Sequence, residues 1–261
     1  MNYHGFAARD YLILENLPLI NEELTVLEIG VGTGSTLKKI FSRAKEFCGV
    51  DISEETINIL KRRHNNDDRI SFHCLNVCGN ISLNKKFNII YSADTLEHIE
   101  KPLEFFNFIR KHLDADGIGL ITFPNESREK HHGITWFNRK SDLLKLIDSL
   151  DLQIIDFSEV IPTFWHQLIR RFLWDLPKSL VSRKRKDFLP QTFDQTEGFD
   201  IFRKNTFKSK LLANYARTVT GLAGIFPLYK LSEIGEEISN KILLIHLEHN
   251  KNPKNRIHPL K

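Results

Sequence analysis

The chain has 261 residues, of which 41% are hydrophobic and 27% are charged, a composition typical of a globular protein with one sizeable core. It has no run of about 18 apolar residues, which argues against a membrane-spanning helix, and three cysteines are too few for a disulfide framework. Its charge is uneven: residues 1–161 carry 19 Lys and Arg against 24 Asp and Glu, whereas residues 162–261 carry 18 against 9. A basic last part suggests an anionic partner or an ordinary basic surface.

Strand-like and helix-like segments alternate along the first 161 residues. Ser53, followed by two glutamates, predicts the start of one helix, and Pro102 predicts the start of another. This alternation indicates parallel crossover units and an open α/β sheet. The predicted strands are 25–30, 46–52, 70–77, 87–93, 117–124 and 152–161, and the predicted helices are 35–44, 53–64, 102–114 and 139–151.

The segment VLEIGVGTGST joins the first strand to the first helix and carries Gly30, Gly32 and Gly34. Glycine permits positive φ and lets a ligand approach the backbone closely. A dinucleotide loop usually reads Gly-x-Gly-x-x-Gly and binds a pyrophosphate. Here Glu28 precedes the first glycine, and an acid suits a cationic ligand instead. Asp51 ends the second strand, where a carboxylate can bind both ribose hydroxyls, so the pattern describes S-adenosylmethionine.

The chain resembles class I S-adenosylmethionine-dependent methyltransferases over about residues 24–161. Five segments match in the family's order: VLEIGVGTGST, GVDIS, ISFHCLNV, FNIIYSADTLEHIEKP and LDADGIGLITFPN. The resemblance implies that Glu28 orients the methionine amino group, that Asp51 binds the ribose, and that Asn76 faces the adenine amino group in place of the usual aspartate. The cofactor-binding residues that it implies are Glu28, Gly30, Gly32, Gly34, Asp51, Ile52, Asn76, Val77, Ser92 and Ala93.

The resemblance also implies a fold and three regions. The fold is α/β, a Rossmann-like doubly wound, mostly parallel sheet of seven strands with a helical insertion before the last strand. Residues 1–161 form the cofactor-binding core with an N-terminal helix, 162–240 form a helical, basic insertion that covers the acceptor, and 241–261 form the last strand and a tail. The N-terminal sequence lacks a signal pattern, which predicts a cytoplasmic protein.

The segment ADTLEHIEKP places Asp94, Glu97 and His98 after the fourth strand. Many methyltransferases carry Leu-Glu-His here as part of the helix start. Quinone-biosynthesis O-methyltransferases and small-RNA 3′-terminal 2′-O-methyltransferases instead use such a cluster, begun by glutamate, to hold a divalent cation. Carboxylates with one imidazole suit Mg²⁺ or Mn²⁺, so the three residues are candidate metal ligands.

The segment after the fifth strand carries two adjacent histidines, His131 and His132. His132 lies four residues before Trp136, the spacing of the last metal-ligand histidine in the RNA enzymes that the chain resembles. We expect His132, or failing it His131, to serve the methyl acceptor as base or ligand, with His98 as a further catalytic candidate. A solvated loop is the alternative.

The helix-like segment 164–176 is aromatic and amphipathic, and a basic run follows at 183–186. Such a helix packs on a core or lid, or lies in a membrane interface. We therefore expect peripheral membrane contact through 164–186 as an alternative to a lid, and nucleic acid ranks below both because few aromatics interleave with the basic run.

These expectations converge on an S-adenosylmethionine-dependent methyltransferase that methylates an oxygen of a small molecule, such as a sugar, a lipid-linked glycan or a quinone-like precursor. One alternative is a metal-dependent RNA 3′-end 2′-O-methyltransferase. The other is a scaffold that binds S-adenosylmethionine without catalysis.

Overall fold

The computed structural model describes residues 12–13, 15–17, 23–37, 40, 44–79, 81–125, 134–172, 228–239 and 241–249. The chain divides into two units. The larger comprises Ile13–Val160 and Ser232–Lys261, and the smaller comprises Met1–Leu12 and Ile161–Leu231.

Eight strands form one sheet in the order β3-β2-β1-β4-β5-β8-β6-β7. Neighbouring strands are parallel from β3 to β5, and β8 runs antiparallel to both β5 and β6. The strands are β1 (Thr25–Ile29), β2 (Glu46–Asp51), β3 (Ile70–Cys74), β4 (Phe87–Ala93), β5 (Leu113–Asn125), β6 (Leu152–Pro162), β7 (Tyr229–Glu233) and β8 (Lys241–His249).

The larger unit confirms the mostly parallel, doubly wound α/β sheet. Its central strands are buried along almost their whole length, as apolar parallel strands between helical layers require. The strand count is eight rather than the predicted seven. The additional strand, β7, falls in the segment 162–240 that was predicted to be helical, so that description was wrong for residues 229–233.

Helix starts follow the predicted signals. Helix α1 (Glu54–Arg63) begins after Ser53, whose hydroxyl accepts a hydrogen bond from the N–H of Thr56 at 3.3 Å. Two acidic residues in its first turn and three basic residues in its last turn complement the helix dipole. Helix α2 (Pro102–His112) begins with proline, and helix α3 (Lys140–Asp148) follows in the chain.

The smaller unit contains helix α4 (Phe164–Arg170). Thr163 precedes this helix, and its N–H and its hydroxyl both donate to the carbonyl oxygen of Leu228, at 2.9 and 3.0 Å, which ties the start of the helix to that residue. The buried His166 ring lies 4.8 Å from the ring of Tyr229. Among the described residues, no helix is long and apolar enough to cross a bilayer.

Candidate active site

The loop after β1 requires glycine at three alternate positions. Gly30, Gly32 and Gly34 have φ of +75°, +48° and +69°, which L side chains rarely adopt. A Cβ atom on Gly30 would collide with the side chain of Thr95, and one on Gly34 would lie 3.1 Å from Leu60. At Gly32 the nearest atom, the carbonyl oxygen of Gly30, would be 3.8 Å away, so a Cβ there would make only an ordinary van der Waals contact.

The same loop is tied to the carboxyl end of β2. The N–H groups of Gly30 and Val31 donate to the carbonyl oxygen of Val50 at 2.8 and 3.1 Å. The N–H of Gly32 donates to Asp51 Oδ2 at 3.0 Å, and the N–H of Ser53 donates to Asp51 Oδ1 at 2.9 Å. These bonds orient a half-buried carboxylate at the strand end, and each carboxylate oxygen retains acceptor capacity for a hydroxyl group.

An exposed apolar side chain lies next to this carboxylate. Ile52 is 71% exposed, although aliphatic side chains of this size are usually buried. On the neighbouring strand end, Asn76 is exposed and Val77 is buried. Asn76 Oδ1 accepts the N–H of Cys78 at 2.9 Å, which leaves its second lone pair for an adenine amino group. A flat base beside a ribose would cover Ile52, so these residues fit S-adenosylmethionine.

Residues after β4 form the next part of the site. Ser92 is buried, and its hydroxyl donates to the carbonyl oxygen of Ile29 at 3.0 Å. Ala93 is buried as well, and Asp94 turns the chain with φ of +48°. Glu97 is 4% exposed, and its Oε1 lies 3.6 Å from Nε2 of the partly exposed His98.

The chain returns from the loop after β5 to this same place. The N–H groups of Ile134 and Thr135 donate to the carbonyl oxygen of Glu97 at 2.6 and 3.1 Å, and the Thr135 hydroxyl donates to the carbonyl oxygen of Ile99. His131 and His132 lie outside the described residues, so their role as base or ligand stays a prediction.

Asn125 has a structural function at the end of β5. Its side-chain amide donates to the carbonyl oxygens of Phe137 and Ile238 at 2.6 and 2.7 Å, and its oxygen accepts the N–H of Phe137 at 2.8 Å. These bonds use most of its hydrogen-bonding capacity in a fully buried position. Asn125 therefore joins the end of β5 to Phe137 and Ile238 rather than facing a substrate.

The predicted metal cluster is not formed by its three residues alone. In the part of the chain that the structure describes, no three His, Cys, Asp or Glu side chains are gathered so that they hold a metal ion. Glu97 and His98 lie together, but Asp94 does not complete a site with them. The divalent cation therefore finds no support among the described residues.

Two residues of the site were missed by the sequence reasoning. The hydroxyl of Thr36 lies 3.0 Å from Glu28 Oε1 and 2.8 Å from the hydroxyl of Tyr91. All three side chains are buried. The only signal in the sequence was a threonine at the end of the glycine loop and a tyrosine in a strand, and neither is specific.

A comparison with protein families shows which family this chain belongs to. Residues 1–173 match the model of a family described as a methyltransferase domain. The chain belongs to this methyltransferase family. The match covers about two thirds of the chain, and it confirms the resemblance to class I S-adenosylmethionine-dependent methyltransferases that the glycine loop and Asp51 predicted.

One curated relative of this methyltransferase is malonyl-[acyl-carrier protein] O-methyltransferase 1 of Ilyobacter polytropus. It is 28% identical over 109 residues, which are 41% of this chain and 40% of the relative. The match thus spans less than half the length of that relative, and it does not establish a shared acceptor.

Solved structures of similar fold include enzymes with different chemistries. The [4+2]-cyclase SpnF has a TM-score of 0.54 and 15% identity, over 92% of this methyltransferase and 79% of the cyclase. Another is geranyl diphosphate C-methyltransferase of Streptomyces coelicolor, which was solved with Mg²⁺, geranyl diphosphate and S-adenosylhomocysteine. Its TM-score is 0.53 and its identity 12%, and the match covers 94% of this chain and 80% of that enzyme. At this identity the likeness concerns the fold alone.

Proposed function

We propose that this methyltransferase transfers a methyl group from S-adenosylmethionine to an oxygen atom of a small molecule, such as a sugar, a lipid-linked glycan or a quinone-like precursor. The observation that carries the cofactor assignment is the junction of β1 and β2, where the glycine loop, the oriented carboxylate of Asp51 and the exposed Ile52 adjoin. The choice of oxygen is supported by the O-methyltransferase among its relatives.

The bound cofactor would supply a methyl group on a positively charged sulfur. An acceptor oxygen would form a bond to that methyl carbon, the carbon–sulfur electron pair would stay on sulfur, and the acceptor proton would pass to a base. The protein's contribution is then mainly alignment of the reacting atoms, which can be worth about 7–11 kcal/mol. In this proposal Glu28 and Asp51 orient the donor, while His132, or failing it His131 or His98, accepts the proton.

The contacts around Glu97 support a shared acceptor site for the segments after β4 and β5. Ile134 and Thr135 bind the Glu97 carbonyl oxygen, and His98 is the next residue after Glu97, whereas His132 precedes Ile134 by two residues. A base predicts activity that falls as the imidazole is protonated, with no response to a chelator. A metal ligand predicts activity that is lost in chelator and restored by Mg²⁺ or Mn²⁺.

The second proposal concerns the segment 162–240, as an acceptor lid or as a membrane contact through 164–186. Exposed aromatic side chains on and next to α4 favour membrane contact: Phe164 is 67%, Trp165 39% and Phe172 57% exposed, and residues 183–186 are basic. Sedimentation with anionic and neutral vesicles tests this. Membrane contact is supported if the protein sediments only with anionic vesicles and if the double variant Phe164→Ser/Phe172→Ser no longer does so. If the protein sediments equally with and without vesicles, the exposed aromatic side chains indicate self-association instead.

The main proposal is tested in two steps. Calorimetry with S-adenosylmethionine measures cofactor binding by the wild type and by Asp51→Ala. Transfer of a radiolabelled methyl group is then measured with panels of sugars, quinone precursors and RNA 3′ ends. Labelling of a small hydroxylated acceptor supports the proposal, and labelling of RNA alone favours the alternative RNA methyltransferase. Tight binding without transfer to any panel member counts for the non-catalytic scaffold.

A further inference from the structure

We propose that Thr36 and Tyr91 are positioning residues for S-adenosylmethionine. They hold the Glu28 carboxylate and the end of the glycine loop in the arrangement that binds the cofactor. The inference rests on the proposed function, because it assigns two further residues to the same cofactor site.

Three side chains form a short chain of hydrogen bonds. The Tyr91 hydroxyl lies 2.8 Å from Thr36 Oγ1, which lies 3.0 Å from Glu28 Oε1. The Thr36 hydroxyl donates a hydrogen bond to Glu28 Oε1. A hydroxyl has one proton, and the Tyr91 hydroxyl therefore donates to Thr36. The direction of the second bond follows from that of the first.

The three residues come from three elements that meet at the cofactor loop. Glu28 and Tyr91 are directly opposite each other in the parallel pairing of β1 with β4. Thr36 stands at the other end of the loop that β1 opens, just before the helical Leu37. The hydrogen bonds thus fasten the end of the glycine loop to the strand from which the loop starts and to its neighbour.

These hydrogen bonds help to hold the loop because all three side chains are buried. Glu28, Thr36 and Tyr91 are 5%, 1% and 0% exposed. Burying a polar group costs free energy unless it is hydrogen-bonded, so the Thr36 hydroxyl, which is itself bonded to Tyr91, lowers the cost of burying the Glu28 carboxyl group behind the loop. The other end of the loop is fixed by Val50, which binds Gly30 and Val31. With both ends fixed, the three glycines need little reordering when a cationic ligand binds.

The first experiment removes single groups and measures affinity for S-adenosylmethionine by calorimetry. Tyr91→Phe removes only the hydroxyl, and we expect affinity to fall about three- to tenfold, the range for loss of one buried hydrogen bond. Thr36→Val should weaken binding at least as much, because it removes both bonds. Thr36→Ser keeps the hydroxyl and should recover most of the affinity.

A matched control separates positioning from loss of stability. Thr25→Val removes a hydroxyl at the opposite end of β1, where Thr25 Oγ1 lies 3.0 Å from Asn88 Oδ1. We expect this variant to lower the melting temperature while its cofactor affinity stays within about twofold of wild type. If Thr25→Val weakens binding as much as Tyr91→Phe, the effect is general destabilisation and the inference is wrong.

A second measurement tests whether the hydroxyls act through Glu28. In a Glu28→Gln background, Tyr91→Phe should change affinity much less than in the wild type, whereas in an Asp51→Ala background its effect should be undiminished. Equal effects in all three backgrounds contradict action through Glu28. If Asp51→Ala weakens binding while Tyr91→Phe and Thr36→Val do not, only this inference fails. If the wild type does not bind S-adenosylmethionine, the proposed function fails with it.

Discussion

The two ends of the β1–β4 strand pair carry polar cross-links of different kinds. At the amino end, Asn88 Oδ1 accepts from both the N–H and the hydroxyl of Thr25, each at 3.0 Å, so the link joins strand to strand. At the carboxyl end, Thr36 joins the pair to the glycine loop. The first link only holds the sheet together, whereas the second also fixes a ligand-binding loop, so the two ends should respond differently to substitution.

At the carboxyl end of this strand pair, which we call the cofactor end, Gly30→Ala should have the largest effect on stability and cofactor affinity. The left-handed φ of Gly30 costs an alanine about 1–2 kcal/mol, and its Cβ would collide with Thr95, which adds about 1–3 kcal/mol. Both stability and cofactor affinity should fall steeply. Thermal unfolding and calorimetry measure the two effects.

Gly32→Ala is the matched control for this substitution. Gly32 also has positive φ, but a Cβ there would meet no atom closer than 3.8 Å. We therefore expect a smaller loss of stability than for Gly30→Ala. Equal losses in the two variants would mean that backbone strain, and not the contact with Thr95, determines the effect.

The second prediction concerns the ribose-binding carboxylate. Asp51→Ala should weaken S-adenosylmethionine binding at least tenfold, about 1.4 kcal/mol, because it removes both a ribose acceptor and the partner of the Gly32 N–H. Asp51→Asn retains one acceptor oxygen and should lose less. Unchanged affinity of Asp51→Ala in calorimetry would contradict the assignment of the cofactor site.

The cofactor end was predictable because its signals are local. Three glycines at alternate positions, Glu28 and a carboxylate at a strand end can be read from short segments, and all three glycines have the positive φ that such a loop needs. The Thr36–Tyr91 contact was not predictable, because it joins residues 55 apart whose meeting depends on the register of β1 with β4.

One prediction, the helical character of residues 229–233, was wrong because the strand signal in the sequence is short. Strand β7 has only five residues, all exposed or half-buried, and the alternation of Tyr229 and Leu231 with polar residues is too short to identify a strand on its own. The metal cluster was inferred from residue types and spacing, which do not fix the directions of side chains. Among the described residues no three such side chains gather to hold a metal ion, and the divalent cation stays a prediction.

The third prediction concerns the pH dependence of stability and a histidine that lies near the amino ends of the strands. His112 is 1% exposed. Its Nδ1 lies 2.7 Å from the carbonyl oxygen of Phe108 and donates to it, and its Nε2 accepts the N–H of Leu83 at 3.0 Å. The ring is therefore neutral, and burial lowers the pKa of His112, with Lys111 and Lys86 acting in the same direction.

The sign of the pH effect follows from this shift. The pKa of His112 in the folded protein lies below the value of about 6.5 in the unfolded chain. The unfolded chain therefore binds more protons at acidic pH. The contribution of the neutral His112 to the free energy of unfolding is complete above pH 6.5 and is lost as pH falls through the folded pKa. Denaturant unfolding should show this decline, and it should be weaker in His112→Gln. At pH 7.5 that variant should bind the cofactor within about twofold of wild type. A large change in the cofactor affinity of His112→Gln at pH 7.5 would contradict the view that only the cofactor end of the sheet determines binding.

The smallest effect on the cofactor is expected from the amino end of β1 itself. Thr25→Val leaves the half-buried Asn88 N–H, which now donates to Thr25 Oγ1 at 3.2 Å, without that acceptor. This should cost about 1–3 kcal/mol of unfolding free energy. The glycine loop keeps its bonds to Val50, Asp51, Glu28 and Tyr91, none of which involves Thr25. Chemical denaturation should therefore detect the substitution while calorimetry with S-adenosylmethionine does not. Loss of affinity without loss of stability would reverse the roles assigned to the two ends of the strand.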